Sequence, residues 1–279
     1  MIRRIHSLPG LVLGLALAVT AATGAVLAVV PTLDHLSTPT ITRGTSVADL
    51  AAAVAARHES VADIRVRPSG TVTASFTDGE TSGVERIDPA TGAGLGPFAP
   101  SPGLRVLIDL HRSFGLGTEG RVGVAISAAT MLVVVLSGLA LLAKRLGGWR
   151  ALLRPIRGGR MDRLHGEVAR IAAVGLVVSA STGLWMSAST FDLMPEAAVL
   201  EAPVAIGGPA LPIARLSALQ TIDVADLREL TLADPSVADD VFRVKTAAGE
   251  AAIDPATGRV VASLAATTLD RVDGVVRLL

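Results

Sequence analysis

The chain holds five histidines and no cysteine among its 279 residues. Without cysteine there is no thiol nucleophile, disulfide, iron–sulfur cluster or cysteine-bound zinc. Imidazole is therefore the side chain best suited to hold a metal centre. Two histidines occupy matching places. His6 precedes an apolar run that contains Thr23-Gly24, His165 precedes another that contains Thr182-Gly183, and the interval from His to Thr is identical in the two. An ionisable ring at a membrane boundary is costly without a partner and is a functional candidate by default. Two rings related by pseudo-symmetry can clamp one metal centre from both sides. Small residues at helical spacing, Gly10 and Gly14 after His6 and Ala169, Ala172 and Ala173 after His165, would let a flat ligand approach. The plainer reading, in which both rings rest among lipid headgroups, stays open. His111 stands beside Arg112 before a further apolar run, with Gly115 one helical turn on. His35 is either a partner for His111 or an exposed loop residue. His58 ends a helix, where a cation suits the helix dipole, and is assigned no site.

The elements that must position these rings are long and apolar. Half of the residues are hydrophobic, 18% are charged, and the mean hydropathy is +0.55. The charge content is well below that of an ordinary soluble domain. Gly10–Val30, Val122–Ala143 and Ile171–Ser189 are free of charge and each long enough to cross a bilayer core of about 30 Å. The first is too long for the core of a cleaved signal peptide, and its Ala16-Leu17-Ala18 lies inside the run. The net charge of zero, from 25 basic and 25 acidic residues, excludes a basic nucleic-acid binder. It also conceals an uneven distribution. From Lys144 to Arg163 there are seven basic residues and one acidic, whereas Thr32–Leu110 carries six against nine and Thr190–Leu279 seven against thirteen. Basic loops stay in the cytoplasm, so the N-terminus and the 144–163 loop are expected inside and the two acidic regions outside. That loop either enforces topology and meets anionic lipids or docks an acidic electron donor.

The sequence repeats itself. Ile87-Asp88-Pro89-Ala90-Thr91-Gly92 recurs as Ile253-Asp254-Pro255-Ala256-Thr257-Gly258, displaced by 166, and the His-to-Thr-Gly pattern recurs displaced by 159. Similar displacements in separate features argue for duplication of a helix–exterior module–helix unit. In the first module the pattern predicts a helix over Ser46–His58 and strands over Ile64–Val66, Val72–Phe76 and Val84–Ile87. In the second it predicts a helix over Ser217–Leu232 and strands over Val241–Lys245, Glu250–Ile253 and Arg259–Ser263. The same arithmetic puts a second Leu-His and a fourth helix just beyond Leu279, so the chain is expected to be a truncated or split product. Gly115-Leu116-Gly117-Thr118-Glu119-Gly120 is literally G-x-G-x-x-G, but it precedes a membrane span and has no acid about 20 residues on, so a chain bend is expected there instead of a nucleotide. No H-E-x-x-H is present, and a hydrolase is disfavoured.

Arg4-Ile5-His6 before a Thr-Gly helix, Leu110-His111-Arg112-Ser113 before the Ser137-Gly138 helix, Arg163-Leu164-His165-Gly166 and the Asp-Pro-x-Thr-Gly turns together resemble the PepSY-associated transmembrane family. The likeness covers nearly the whole chain. It implies an integral membrane, α-helical protein with three transmembrane helices, a fourth missing, and two exterior α+β PepSY-like modules. The boundaries are 1–31 for the first helix, 32–110 for the first module and 111–145 for the second helix with an interfacial segment. The basic loop is 146–163, the third helix 164–190 and the second module 191–279. The resemblance further implies haem b held by His6 and His165, with His111 as a ligand of a second, outer centre and Arg3, Arg4 or Arg163 meeting the propionates. Electrons would pass from a cytoplasmic flavodoxin-like or ferredoxin-reductase-like donor to an exterior acceptor such as a ferric chelate, across a bacterial-type inner membrane. No flavin or NAD(P) site is visible, so the chain is not expected to oxidise NADPH alone. The other reading is a non-enzymatic membrane protein whose exterior modules bind or regulate a protein partner.

Overall fold

The computed structural model describes residues 2–195, 200, 205, 207–237 and 239–276. The stretches 196–199, 201–204, 206 and 238, inside the second expected module, and 277–279, where the next Leu-His was expected to follow, lie outside the described residues. In chain order the elements are α1 (Ile2–Val12), α2 (Gly14–Leu27), α3 (Val30–Ser37), α4 (Val47–Ala55), β1 (Ser60–Val66), β2 (Val72–Asp78), β3 (Thr81–Ile87) and β4 (Gly94–Pro97). They continue as α5 (Pro102–Ser113), α6 (Gly117–Leu146), α7 (Arg160–Thr190), α8 (Ser217–Gln220), β5 (Leu227–Thr231), β6 (Phe242–Thr246), β7 (Gly249–Ile253), β8 (Val260–Ala265) and α9 (Thr268–Val276). The chain divides into two compact units, Met1–Ala28 with Ser101–Glu196 and Val29–Pro100 with Ala197–Leu278.

The first unit is helical. Among the described residues three stretches are long and apolar enough to cross a membrane: Gly14–Ser37, Gly117–Leu146 and Arg160–Thr190. The first begins later than the expected Gly10 and runs on past Val30. Pro9 lies inside α1, where it lacks the N–H that the carbonyl of Ile5 would otherwise accept, and the helix gives way at Leu13 before α2 starts. Large apolar side chains on these helices point outward: Leu15 is 81% exposed and Ile171 is 78% exposed. In water such a surface would drive aggregation, and in a bilayer it is the lipid contact. Phe114, Gly115 and Gly117 all take positive φ between α5 and α6, and a Cβ on Gly120 would collide with the Ser113 carbonyl oxygen. The G-x-G-x-x-G stretch is thus a tight corner between two helices. At the other end α6 stops at Gly147, φ 91°, with Lys144 and Arg145 in its last turn beside the negative end of the helix dipole. The following loop is tied to α7, since Arg170 donates to the carbonyls of Leu152 and Arg154 at 2.9 Å each.

The second unit is one antiparallel sheet of eight strands in the order β4-β3-β2-β1-β5-β6-β7-β8. The sequence divides this region into two modules, yet the strands of both stretches share the sheet and one hydrophobic core. That core includes Val47, Leu50, Val54, Ile64 and Ile87 from the first stretch and Leu216, Leu219, Leu230, Val244 and Ile253 from the second. At the centre, β1 pairs with β5 through Asp63 with Thr231, Ile64 with Leu230, and Arg65 with Glu229. The step along the chain from Ile64 to Leu230 equals the step from Asp88 to Asp254. The two turns also match in detail. Asp88 and Asp254 accept bonds from the backbone N–H groups two and three residues on. Gly92 and Gly258 then take φ of 71° and 69°, a conformation that favours glycine.

The helix over 46–58 is α4, whose Ser46 side chain accepts from the Asp49 N–H and caps it. Each expected strand is present, and β4 was not anticipated. The expected helix over Ser217–Leu232 is a correction. Only Ser217–Gln220 is α-helical, and Leu227–Thr231 is strand β5. The open edge of β1 supplies backbone partners for this segment, and Leu227 and Leu230 go into the core. Tertiary pairing overrides a short stretch whose apolar spacing suits either form.

Candidate functional site

His6 sits on α1, its ring facing α6. Its Nδ1 lies 2.9 Å from the carbonyl oxygen of Val134 and 3.4 Å from the Ser137 hydroxyl oxygen. A carbonyl can only accept, so Nδ1 carries a proton, and the neutral tautomer compatible with this contact has Nε2 unprotonated. This is the arrangement in which backbone carbonyls orient metal-ligating histidines. The His165 ring, on α7, approaches the His6 ring to 6.4 Å between centroids, with the planes inclined at 60°. A metal–imidazole bond of about 2 Å on each side, with the radius of each ring added, places two such centroids roughly 6 Å apart. The two rings that the sequence pairs by repetition are thus close enough for one metal centre. His165 is exposed. The donor set, two imidazoles 6.4 Å apart, is of the kind that would hold a haem iron.

The expected small residues divide. Gly10 and Gly14 have open space where a Cβ would stand. Ala173 is buried, so it belongs to the helix packing and not to a free face. Arg4, one of the cations considered for propionates, lines an open groove with Ile5, Leu8 and Pro9.

His111, on α5, faces α2. Its Nδ1 lies 3.0 Å from the Thr23 hydroxyl and 3.2 Å from the Thr20 carbonyl oxygen, again leaving Nε2 without the proton. A cavity of about 110 Å³ opens beside it, lined in part by Arg112, Arg121, Gly183, Met186 and Ser187. His35 lies in the sheet unit and donates from Nδ1 to the Ser69 carbonyl at 2.9 Å.

His58, assigned no site from the sequence, is the centre of a charged cluster in the sheet unit. Its Nδ1 is 2.7 Å from an Asp78 carboxylate oxygen and its Nε2 is 2.6 Å from Glu85, which also meets Arg57 at 2.7 Å. The ring stacks on Phe76 with centroids 4.1 Å apart. Burial opposes the charged ring, but the hydrogen bonds to Asp78 and Glu85 outweigh it and raise the pKa above the usual histidine value. Both ring nitrogens are occupied by carboxylates, so His58 is a structural cation with no lone pair to offer. Among the described residues no group of three or more His, Cys, Asp or Glu side chains is placed to hold a metal ion.

What the sequence did not single out is the role of the small polar pairs. Ser137-Gly138 and Thr23-Gly24 lie directly against the His6 and His111 rings. The recurring Ser/Thr-Gly was visible; its partner on another helix was not.

The family profile of the PepSY-associated TM region matches residues 3–223. That is most of the chain, and the chain belongs to this family. No curated protein and no solved structure matches it.

Proposed function

We propose that this member of the PepSY-associated TM family is a haem b electron-transfer module of the bacterial inner membrane. The observation that carries the reading is the approach of His6 to His165 across α1 and α7, with the His6 proton placed on Nδ1. A haem bound at this site would supply one-electron chemistry. His6 and His165 would hold its iron, Val134 would orient the His6 ring, and Arg3, Arg4 or Arg163 would meet its carboxylates. His111 would be a ligand of a second centre towards the outer side.

The charge distribution supports an orientation with the N-terminus and the 144–163 loop in the cytoplasm and the acidic regions outside. The donor is then a cytoplasmic flavoprotein and the acceptor an exterior oxidant such as a ferric chelate. The common displacement of Ile64 from Leu230, and of one Asp-Pro-Ala-Thr-Gly turn from the other, supports duplication of a helix–module unit, with the paired modules forming one sheet. The test is to purify the full chain in detergent from cells supplied with haem and record oxidised and reduced absorption spectra. The expected result is a Soret band that shifts on reduction and is diminished by His165→Ala. A chain without a Soret band would overturn the proposal and leave binding of an exterior protein as the function to pursue.

A further inference from the structure

Two histidines of the helical unit rest in the same local structure on different helices. His6 meets, on α6, the carbonyl of Val134, the hydroxyl of Ser137 and the bare Cα of Gly138. His111 meets, on α2, the carbonyl of Thr20, the hydroxyl of Thr23 and the bare Cα of Gly24. In both cases the three contacts fall at i, i+3 and i+4, on one helix face. In both, the hydroxyl donates within its own helix, Ser137 to the Val134 carbonyl at 3.1 Å and Thr23 to the Val19 carbonyl at 2.7 Å. Its oxygen lone pairs are then turned to the imidazole, and it can act only as acceptor towards Nδ1–H. A Cβ on Gly138 would come within 2.9 Å of His6 Cε1, and one on Gly24 within 3.0 Å of His111 Cε1. A side chain at either glycine therefore presses on the ring, which has to shift to admit it.

We infer that Val134/Ser137-Gly138 and Thr20/Thr23-Gly24 are paired sockets whose hydroxyl and glycine are positioning residues, each fixing one histidine as the Nδ1–H tautomer with Nε2 free to bind a metal. Each element has a separate task. The carbonyl and hydroxyl select the proton position, and the glycine admits the ring edge. A packing role alone would explain the glycine but not a hydroxyl and a carbonyl both aimed at the same ring nitrogen. The sockets deepen the haem reading and rest on it for the metal, yet they act on the imidazoles whether or not haem is present. They also make His111 the counterpart of His6 in local geometry, although the sequence repeat pairs His6 with His165.

The test is ¹⁵N-histidine NMR of the full chain without haem in detergent micelles, assigned with His6→Asn and His111→Asn. Both rings are expected as neutral Nδ1–H tautomers. Gly138→Ala should abolish that signature for His6 and leave His111 unchanged; Gly24→Ala should do the reverse, each variant serving as the folding control for the other. Thr23→Val should lose the His111 signature and Thr23→Ser should keep it. Wild-type rings in the Nε2–H form, or signatures that survive both glycine substitutions, would overturn the inference. Haem added to the same samples separates the two ideas. Intact tautomers without a Soret band sink the haem reading and uphold the sockets. A normal Soret band in Gly138→Ala with an unmoved His6 tautomer does the opposite.

Discussion

The helical unit and the sheet unit turn their side chains in opposite directions. In the sheet unit Ile64, Leu216, Leu219 and Leu230 are fully buried and charges such as Arg43 and Asp226 pair on the surface. In the helical unit apolar side chains such as Leu15, Leu136 and Ile171 face outward, and polar groups such as Ser127 and Thr23 are buried. The histidines follow their surroundings. His58 lies between carboxylates and is held as a cation with both nitrogens engaged. His6 and His111 lie against carbonyls and hydroxyls and keep one nitrogen free. The residue type alone does not make a ligand; the acceptors around it decide whether a lone pair remains.

The contrast can be broken or sharpened by substitution. The largest effect is expected for Leu230→Ala, at the centre of the β1–β5 pairing, which should destabilise the sheet unit by about 3 kcal/mol. Hydrogen exchange of β1 and β5 in the full chain checks it, and unchanged protection would mean that the two halves of the sheet do not depend on one another. Ser46→Ala removes the α4 cap and should cost about 1 kcal/mol, read as faster exchange in that helix. Next comes pH. The pKa of His58 is raised in the folded state, so its stabilising charge is fully present below the unfolded value of about 6.5 and is lost as pH rises through the higher folded value. Thermal melts of the sheet unit should therefore fall on going from neutral to alkaline pH, and His58→Gln should flatten that dependence; Asp78, Glu85 and Arg57 are the charges facing the ring. The smallest effect is expected for Leu136→Ala on the lipid-facing surface of α6, within about 0.5 kcal/mol by the same exchange measurement.

Much of this organisation was legible in the sequence because it depends on local signals. Three uninterrupted apolar runs mark the spans, Ser46 marks the start of α4, and the two Asp-Pro-Ala-Thr-Gly turns mark where β3 and β7 end. The misreading of Leu227–Thr231 as helix has a physical cause. Its state is decided by Asp63–Arg65, in the other half of the repeat, and no local propensity records that partner. The candidate site divides in the same way. His6 and His165 could be paired from repeated spacing. The Ser137-Gly138 and Thr23-Gly24 sockets could not be assigned to His6 and His111, because which helix faces which histidine is a property of the packed bundle. His58 escaped notice because Asp78 and Glu85 reach it only when β2 and β3 fold beside the end of α4.

The central claim is that His6 and His165 share one iron. Low-temperature electron paramagnetic resonance of the purified, haem-loaded ferric chain tests it most directly. The account predicts a low-spin signal of bis-imidazole ligation, converted to a high-spin signal by His165→Ala and by His6→Ala. A low-spin signal that survives both substitutions would contradict it.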